Sequence, residues 1–256
     1  MASRGVASYH EPAGRIPPKK SMPTRFVQGF RELLADALNA TDPASSKKLG
    51  QCIGVYAFYD YDGEPIYVGQ TWENFGTRVG RHLRGQRSDT LAYRILDPFE
   101  VADMELFPTE QLRSDANKRG KLDAIEYAVY RRAIENSKYR AILNEKIPPV
   151  SDPVALPPSY RFTLVPESMR EDREHPDVRI ARRAETLARV AAVAHERGEV
   201  SAGLRRVIVI QAVRLADLAA ARLAYAEGRQ RPPADAIDVH ALVGNVMIEH
   251  EDEDED

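Results

Sequence analysis

Four side chains that can hold an anion or transfer a proton lie close together in the first third of the sequence. Tyr56 and Tyr67 are eleven positions apart, and Arg78 and His82 follow four positions apart. A guanidinium stays charged at any working pH and can donate two parallel hydrogen bonds to a phosphate. An imidazole exchanges a proton near neutrality, whereas a phenol, with an ordinary pKa near 10, needs help to act as a base. The set is suited to proton transfer beside a bound phosphate.

A carboxylate and an amide further along the chain could complete such a site. Glu126 lies in a segment of helical periodicity, and Asn144 lies shortly before two prolines. Hydrolysis of a phosphodiester needs an activated water, neutralisation of the phosphoryl charge and help for the leaving oxygen. One carboxylate can hold one Mg²⁺ or Mn²⁺ when water and phosphate fill the other positions. Glu126 is therefore the candidate metal ligand.

The elements that must position these side chains are predicted from the hydrophobic pattern. Residues 52–59 favour a strand, Asp60 to Gly63 a turn, and Pro65 to Gly69 a second strand, which together form a hairpin. Antiparallel pairing would bring the two phenols to one face. Beyond the hairpin we expect a helix over 74–85, a third strand over 100–107 and a longer helix over 115–137.

The segment from about residue 50 to 150 resembles the GIY-YIG nuclease family. That family is named after two tripeptides, which an arginine, a histidine or tyrosine, a glutamate and an asparagine follow in order. The matching positions here are Gly54-Val55-Tyr56, Tyr67-Val68-Gly69, Arg78, His82, Glu126 and Asn144. Gln70 departs from the lysine that many members have there, and the interval from Glu126 to Asn144 is long.

The resemblance implies a fold and a set of roles. The fold would be α+β, with a small three-stranded antiparallel sheet flanked by helices and followed by a C-terminal helical domain. Tyr56 would activate water with help from His82, and Tyr67 would position the water or the phosphate. Arg78 would neutralise phosphoryl charge, and Glu126 would hold Mg²⁺ or Mn²⁺. Asn144 completes the implied catalytic set.

Further arginines near the helix pair indicate a phosphate-binding surface. Between residues 78 and 94, Asp89 is the only acidic residue in the sequence. The alternative interpretation of these arginines is a basic helix exposed to solvent. The predicted DNA-binding residues are Arg81, Arg84, Arg87 and Arg94.

The chain divides into six predicted parts. These are a basic arm over 1–23, an N-terminal helix and linker over 24–50, the nuclease-like domain over 51–150, a linker over 151–176, a helical domain over 177–246 and an acidic tail over 247–256. The arm is either a loose terminus or a segment that wraps a polyanion. The two long helices of the helical domain either pack on the nuclease domain or another subunit, or grasp DNA with exposed arginines.

Composition excludes several classes of protein. Cys52 is the single cysteine, so neither an intramolecular disulfide framework nor a cysteine-based zinc cluster can form. No apolar run is long enough for a membrane span, and the N-terminal segment lacks the apolar core of a secretory signal. We therefore expect a cytoplasmic protein with no membrane contact.

The net charge of -3 averages over two regions of opposite sign. Seven of the eight residues 249–256 are acidic, and without them the charge would be +4. The tail either keeps the protein soluble or competes with DNA for the arginine-rich surface.

These observations together predict a metal-dependent endonuclease that hydrolyses DNA, in restriction or another defence against foreign DNA. A restriction role would favour a homodimer on a palindromic site, because each catalytic domain cuts one strand. The alternatives are a catalytically weak DNA-binding or regulatory protein on a nuclease scaffold, or a nuclease of repair or of a mobile element.

Overall fold

The structure is a computed structural model, and it describes residues 23–84 and 95–248. Almost all of the predicted arm, the predicted acidic tail from residue 249 onward, and the predicted DNA-binding residues Arg87 and Arg94 lie outside these ranges. Arg84 ends a described helix, but its side chain is also outside what the structure describes.

A four-stranded antiparallel sheet forms the centre of the fold. Its strands are β1 (Gly54–Tyr59), β2 (Pro65–Thr71), β3 (Asp103–Pro108) and β4 (Tyr160–Thr163), in the order β2-β1-β3-β4. The α+β class is as predicted, and β4 is one strand more than the three expected. This strand has only four residues and follows two prolines inside the segment predicted as a linker. Its alternation of apolar and polar residues is too short to be recognised in the sequence.

Helices cover both faces of the sheet. They are α1 (Arg25–Asn39), α2 (Phe75–Arg84), α3 (Lys118–Asn136), α4 (Arg170–Glu174), α5 (Pro176–Arg197), α6 (Ala202–Ala226) and α7 (Val239–Val243). Side chains cap two of these helices, since Asn74 Oδ1 accepts from the backbone N–H of Thr77 and Ser201 Oγ accepts from that of Leu204. Thr24 stands at the N-cap of α1 without a side-chain capping bond. No described helix is long and apolar enough to cross a membrane.

The alternation of side chains along β1 divides the core in two. Tyr56 and Phe58 belong to a cluster with α1, α2, α5 and α6, where Phe30, Val79 and Val207 are buried. Val55 and Ala57 point the other way, into a cluster with α3. All six residues of β1 are buried, because both faces of this strand are covered.

Buried ion pairs join the hairpin of α5 and α6 to the end of β1. The carboxylate of Asp60 lies 2.8 Å from Arg183, 2.8 Å from Arg214 and 3.3 Å from Arg179, and Arg183 also pairs with Glu100 at 3.2 Å. Each of these side chains is at most 9% exposed. The hairpin thus packs on the segment predicted as the nuclease domain. These three arginines are buried, so they do not belong to the exposed set that a DNA-grasping hairpin would need.

Candidate active site

Two glycines allow the strands of the first hairpin to approach the aromatic side chains closely. A Cβ at Gly69 would lie 2.6 Å from the hydroxyl of Tyr56, and a Cβ at Gly54 would lie 2.1 Å from the carbonyl oxygen of Phe107. Both distances are shorter than any side chain tolerates. The glycines of the two tripeptides are thus explained by packing around Tyr56 and β3.

Tyr56, Tyr67 and His82 form a compact group of rings. The pairing of β1 with β2 sets Tyr56 opposite Gly69, and the ring centroids of the two tyrosines are 6.2 Å apart. The Tyr56 hydroxyl and Nε2 of His82 share a hydrogen bond of 2.9 Å, and the His82 ring centroid lies 5.6 Å from that of Tyr67. Tyr56 is fully buried and His82 is 8% exposed. Burial raises the pKa of Tyr56 well above its ordinary range, so the phenol stays protonated.

Arg78 and Glu126 lie close enough to this group to affect its titration. Arg78 hydrogen-bonds to Tyr56 and lowers the pKa values of both Tyr56 and Glu126 by its positive charge, although burial outweighs it in each case. Burial, followed by the negative charge of Asp123, raises the pKa of Glu126 to about 7. Five of the six predicted catalytic side chains therefore interact directly or electrostatically.

Asn144, the sixth, holds the free edge of β2 through the backbone of Val68. Its Oδ1 accepts from the backbone N–H of Val68 at 3.0 Å, and its Nδ2 donates to the Val68 carbonyl at 2.8 Å. The Gln70 backbone N–H, two positions further along, donates to the Glu126 carboxylate. An edge strand otherwise exposes such groups. These contacts show that Asn144 holds β2 in place, and its catalytic role stays a prediction.

Two polar residues of this region were not selected from the sequence. Gln70 Nε2 donates to Asp123 Oδ1 at 2.7 Å, and the Gln70 side chain also donates to Glu126. Gln70 follows the second tripeptide, and alternation along β2 places it, like Val68, on the face covered by α3, which carries Glu126. Asp123 precedes Glu126 by three positions, so helical spacing places both carboxylates on neighbouring parts of one face.

The predicted DNA-binding residue Arg81 is partly engaged within the chain. Its Nη2 lies 2.9 Å from Oε2 of Glu73, and its side chain is 26% exposed. An ion pair at such exposure is worth less than about 1 kcal/mol, so it leaves Arg81 free to exchange partners with a phosphate.

The donors present fit a hard divalent cation. The carboxylates of Glu126 and Asp123 supply oxygen, the atom that Mg²⁺ and Mn²⁺ prefer. In the part of the chain that the structure describes, the amide oxygen of Gln70 is buried without a hydrogen-bond partner. No group of three or more His, Cys, Asp or Glu side chains could hold a metal among residues 23–84 and 95–248. Water and substrate phosphate would therefore have to provide the remaining ligands.

Fold and site together define a nuclease-type catalytic domain. Residues 52–129 match the family described as the GIY-YIG catalytic domain. The match shows a GIY-YIG catalytic domain in this segment, and nucleases with such a domain generally depend on divalent metals. Neither the search of curated proteins nor the search of solved structures found a match.

The raised pKa of Glu126 predicts a stability that depends on pH. The folded state binds this proton with a pKa of about 7, against an ordinary value of 4.5, so the favourable contribution is full below about pH 4.5 and is lost as the pH rises through 7. In EDTA, we expect Glu126→Gln to be more stable than the wild type by about 2 kcal/mol at pH 8, and little different at pH 4.5. Urea unfolding at both pH values measures this.

The matched control is Glu135→Gln, which changes an exposed glutamate near the C-terminal end of α3. Its effect should be small at both pH values. A difference between Glu126→Gln and the wild type that is the same at pH 4.5 and pH 8 would contradict the prediction.

Proposed function

We propose that the protein is a metal-dependent endonuclease that cleaves DNA by one-step hydrolysis and leaves a 5′ phosphate and a 3′ hydroxyl. The observation that carries the proposal is the buried hydrogen bond between the Tyr56 hydroxyl and His82 Nε2, within reach of the charges of Arg78 and Glu126. One site then contains a base, a proton acceptor hydrogen-bonded to it, a cation for the phosphate and a carboxylate for a metal.

The tyrosine and the histidine act as a relay for the proton of the attacking water. Because burial keeps the phenol protonated, Tyr56 can accept a proton from water only as it passes its own to another group. Its hydroxyl is 2.9 Å from His82 Nε2, which can receive that proton. Tyr67, in ring contact with both side chains, orients the water or the phosphate.

Arg78 stabilises the negative charge that develops on the phosphoryl oxygens. Its guanidinium is already directed at the Tyr56 hydroxyl, so a phosphate that enters beside the phenol meets a cation that needs little rearrangement. Glu126, with Asp123 nearby, would hold the Mg²⁺ or Mn²⁺, which when bound supplies positive charge near the leaving 3′ oxygen.

A plasmid assay tests the function. The wild type should convert supercoiled DNA to nicked and linear forms with Mg²⁺ but not with EDTA, whereas Glu126→Gln should leave it intact. Glu135→Gln, prepared in the same way, controls for contaminating nuclease and should cut normally. If the wild type and Glu126→Gln behave alike on a broad set of substrates, the protein is instead a DNA-binding or regulatory protein on a nuclease scaffold.

A restriction or defence role, a homodimer and a cytoplasmic location complete the proposal. One catalytic centre cuts one strand, so cleavage of both strands at a palindromic site calls for two copies. Fixed fragments from a mixed DNA library would support restriction, whereas structure-dependent cutting would favour repair or movement of a mobile element.

A further inference from the structure

One amide links two carboxylates beside the ring group. The Nε2 of Gln70 donates to Asp123 Oδ1 at 2.7 Å, and the Gln70 side chain also lies beside Glu126, whose pKa it lowers. Ionised carboxylates only accept hydrogen bonds, which fixes the orientation of the amide. We call Asp123 and Glu126 the acidic pair.

The acidic pair offers more hydrogen-bond acceptors than the neighbouring residues have donors to fill. Like charges three positions apart on a helix repel, and the charge of Asp123 contributes to the raised pKa of Glu126. Within the described ranges, Asp123 has no ion pair with a lysine or arginine, and the amide oxygen of Gln70 is buried without a donor. A buried acceptor left unsatisfied destabilises the site. Such an arrangement is stabilised when a hydrated cation arrives.

The neutral residue at position 70 preserves this surplus of negative charge. A lysine there would form an ion pair with one or both carboxylates and reduce their net negative charge. Gln70 instead orders both carboxylates without neutralising either of them. Affinity for hard cations rises with the number of charged ligands, and partners that orient ligands typically change metal affinity 10–100-fold.

We propose that Asp123 is a second acidic residue of the active site, and that Gln70 is a positioning residue that holds the acidic pair ready for one divalent cation. The inference rests on the proposed nuclease function. It assigns to this chain a cation site with two carboxylates instead of one.

Mn²⁺ binding without DNA tests the inference independently of cleavage. Electron paramagnetic resonance of free Mn²⁺ should show at least a tenfold loss of affinity in Asp123→Asn, which keeps the acceptor for Gln70 and removes only the charge. Gln70→Met, which keeps length and loses both donors, should lose a similar factor. Asp115→Asn is the control for overall charge, because Asp115 lies just before α3 and pairs with Lys121. The affinity of this variant for Mn²⁺ should stay within about twofold of that of the wild type.

The double variant separates positioning from independent effects. If Gln70 acts through the acidic pair, Asp123→Asn combined with Gln70→Met should lose little more than either change alone. The inference would be overturned if Asp123→Asn bound Mn²⁺ as tightly as Asp115→Asn does. Fully additive losses of affinity in the double variant would overturn it as well. Wild-type cleavage with normal Mn²⁺ binding in Asp123→Asn would overturn it while leaving the proposed function intact.

Discussion

Asp60→Asn is expected to destabilise the protein by about 3–5 kcal/mol, although Asp60 is not one of the predicted catalytic residues. One carboxylate faces the guanidinium groups of Arg179, Arg183 and Arg214, and all four side chains are at most 5% exposed. Removal of that charge leaves buried cations with too few counter-ions. The free energy of unfolding in urea, with circular dichroism to establish that the variant folds, measures the effect.

Asp103→Asn provides the comparison for Asp60→Asn. Asp103 pairs with Arg161 at 2.9 Å, but the arginine side chain is 45% exposed, so its loss should cost less than about 1 kcal/mol. If the two variants are equally stable, the ion pairs beneath the hairpin of α5 and α6 contribute nothing beyond those of the surface.

Arg78→Ala is expected to reduce cleavage about 1000-fold while DNA binding falls only a few-fold. A donor that stabilises charge in the transition state is typically worth 10²–10³ in rate, whereas one phosphate contact among many contributes little to affinity. The single-turnover cleavage rate and the affinity for DNA in EDTA, measured by fluorescence anisotropy, separate the two effects. Arg78→Lys keeps the charge but not the planar pair of donors, so we expect it to recover only part of the rate.

Arg81→Ala is the matched control on the same helix. Arg81 lies three positions from Arg78 and pairs with Glu73, so its loss should weaken binding slightly and leave the cleavage rate within a few-fold. If Arg78→Ala loses binding and cleavage by equal factors, Arg78 holds DNA in the ground state and has no special part in the reaction.

Local patterns were sufficient to predict the elements around the site. The alternation of residues 52–59, the turn at Gly63 and the spacing of Arg78 and His82 each express a short-range rule, and the structure has the hairpin and α2 where these rules place them. The end of α5 at Gly198 obeys a short-range rule as well, because glycine commonly follows the last residue of a helix.

The contacts between distant segments could not be predicted from local patterns. Nothing beside Arg183 or Arg214 in the sequence distinguishes them from exposed arginines, because their partner Asp60 lies 123 and 154 positions away. The same reason applies to Asn144, whose partner Val68 is 76 positions distant. Helical spacing places Asp123 near Glu126, but the hydrogen bond that brings Gln70 to Asp123 spans 53 positions and has no local signal.

The ion pairs at Asp60 also bear on where a bound DNA would be cut. They fix α5 and α6 to the end of the strand that carries Tyr56, with no extended tether between them and that strand's turn. If arginines on the outer faces of these helices contact DNA, the number of base pairs between those contacts and the scissile bond is constant. Such a nuclease cuts at a fixed distance from its DNA contacts, so its products should have one uniform end.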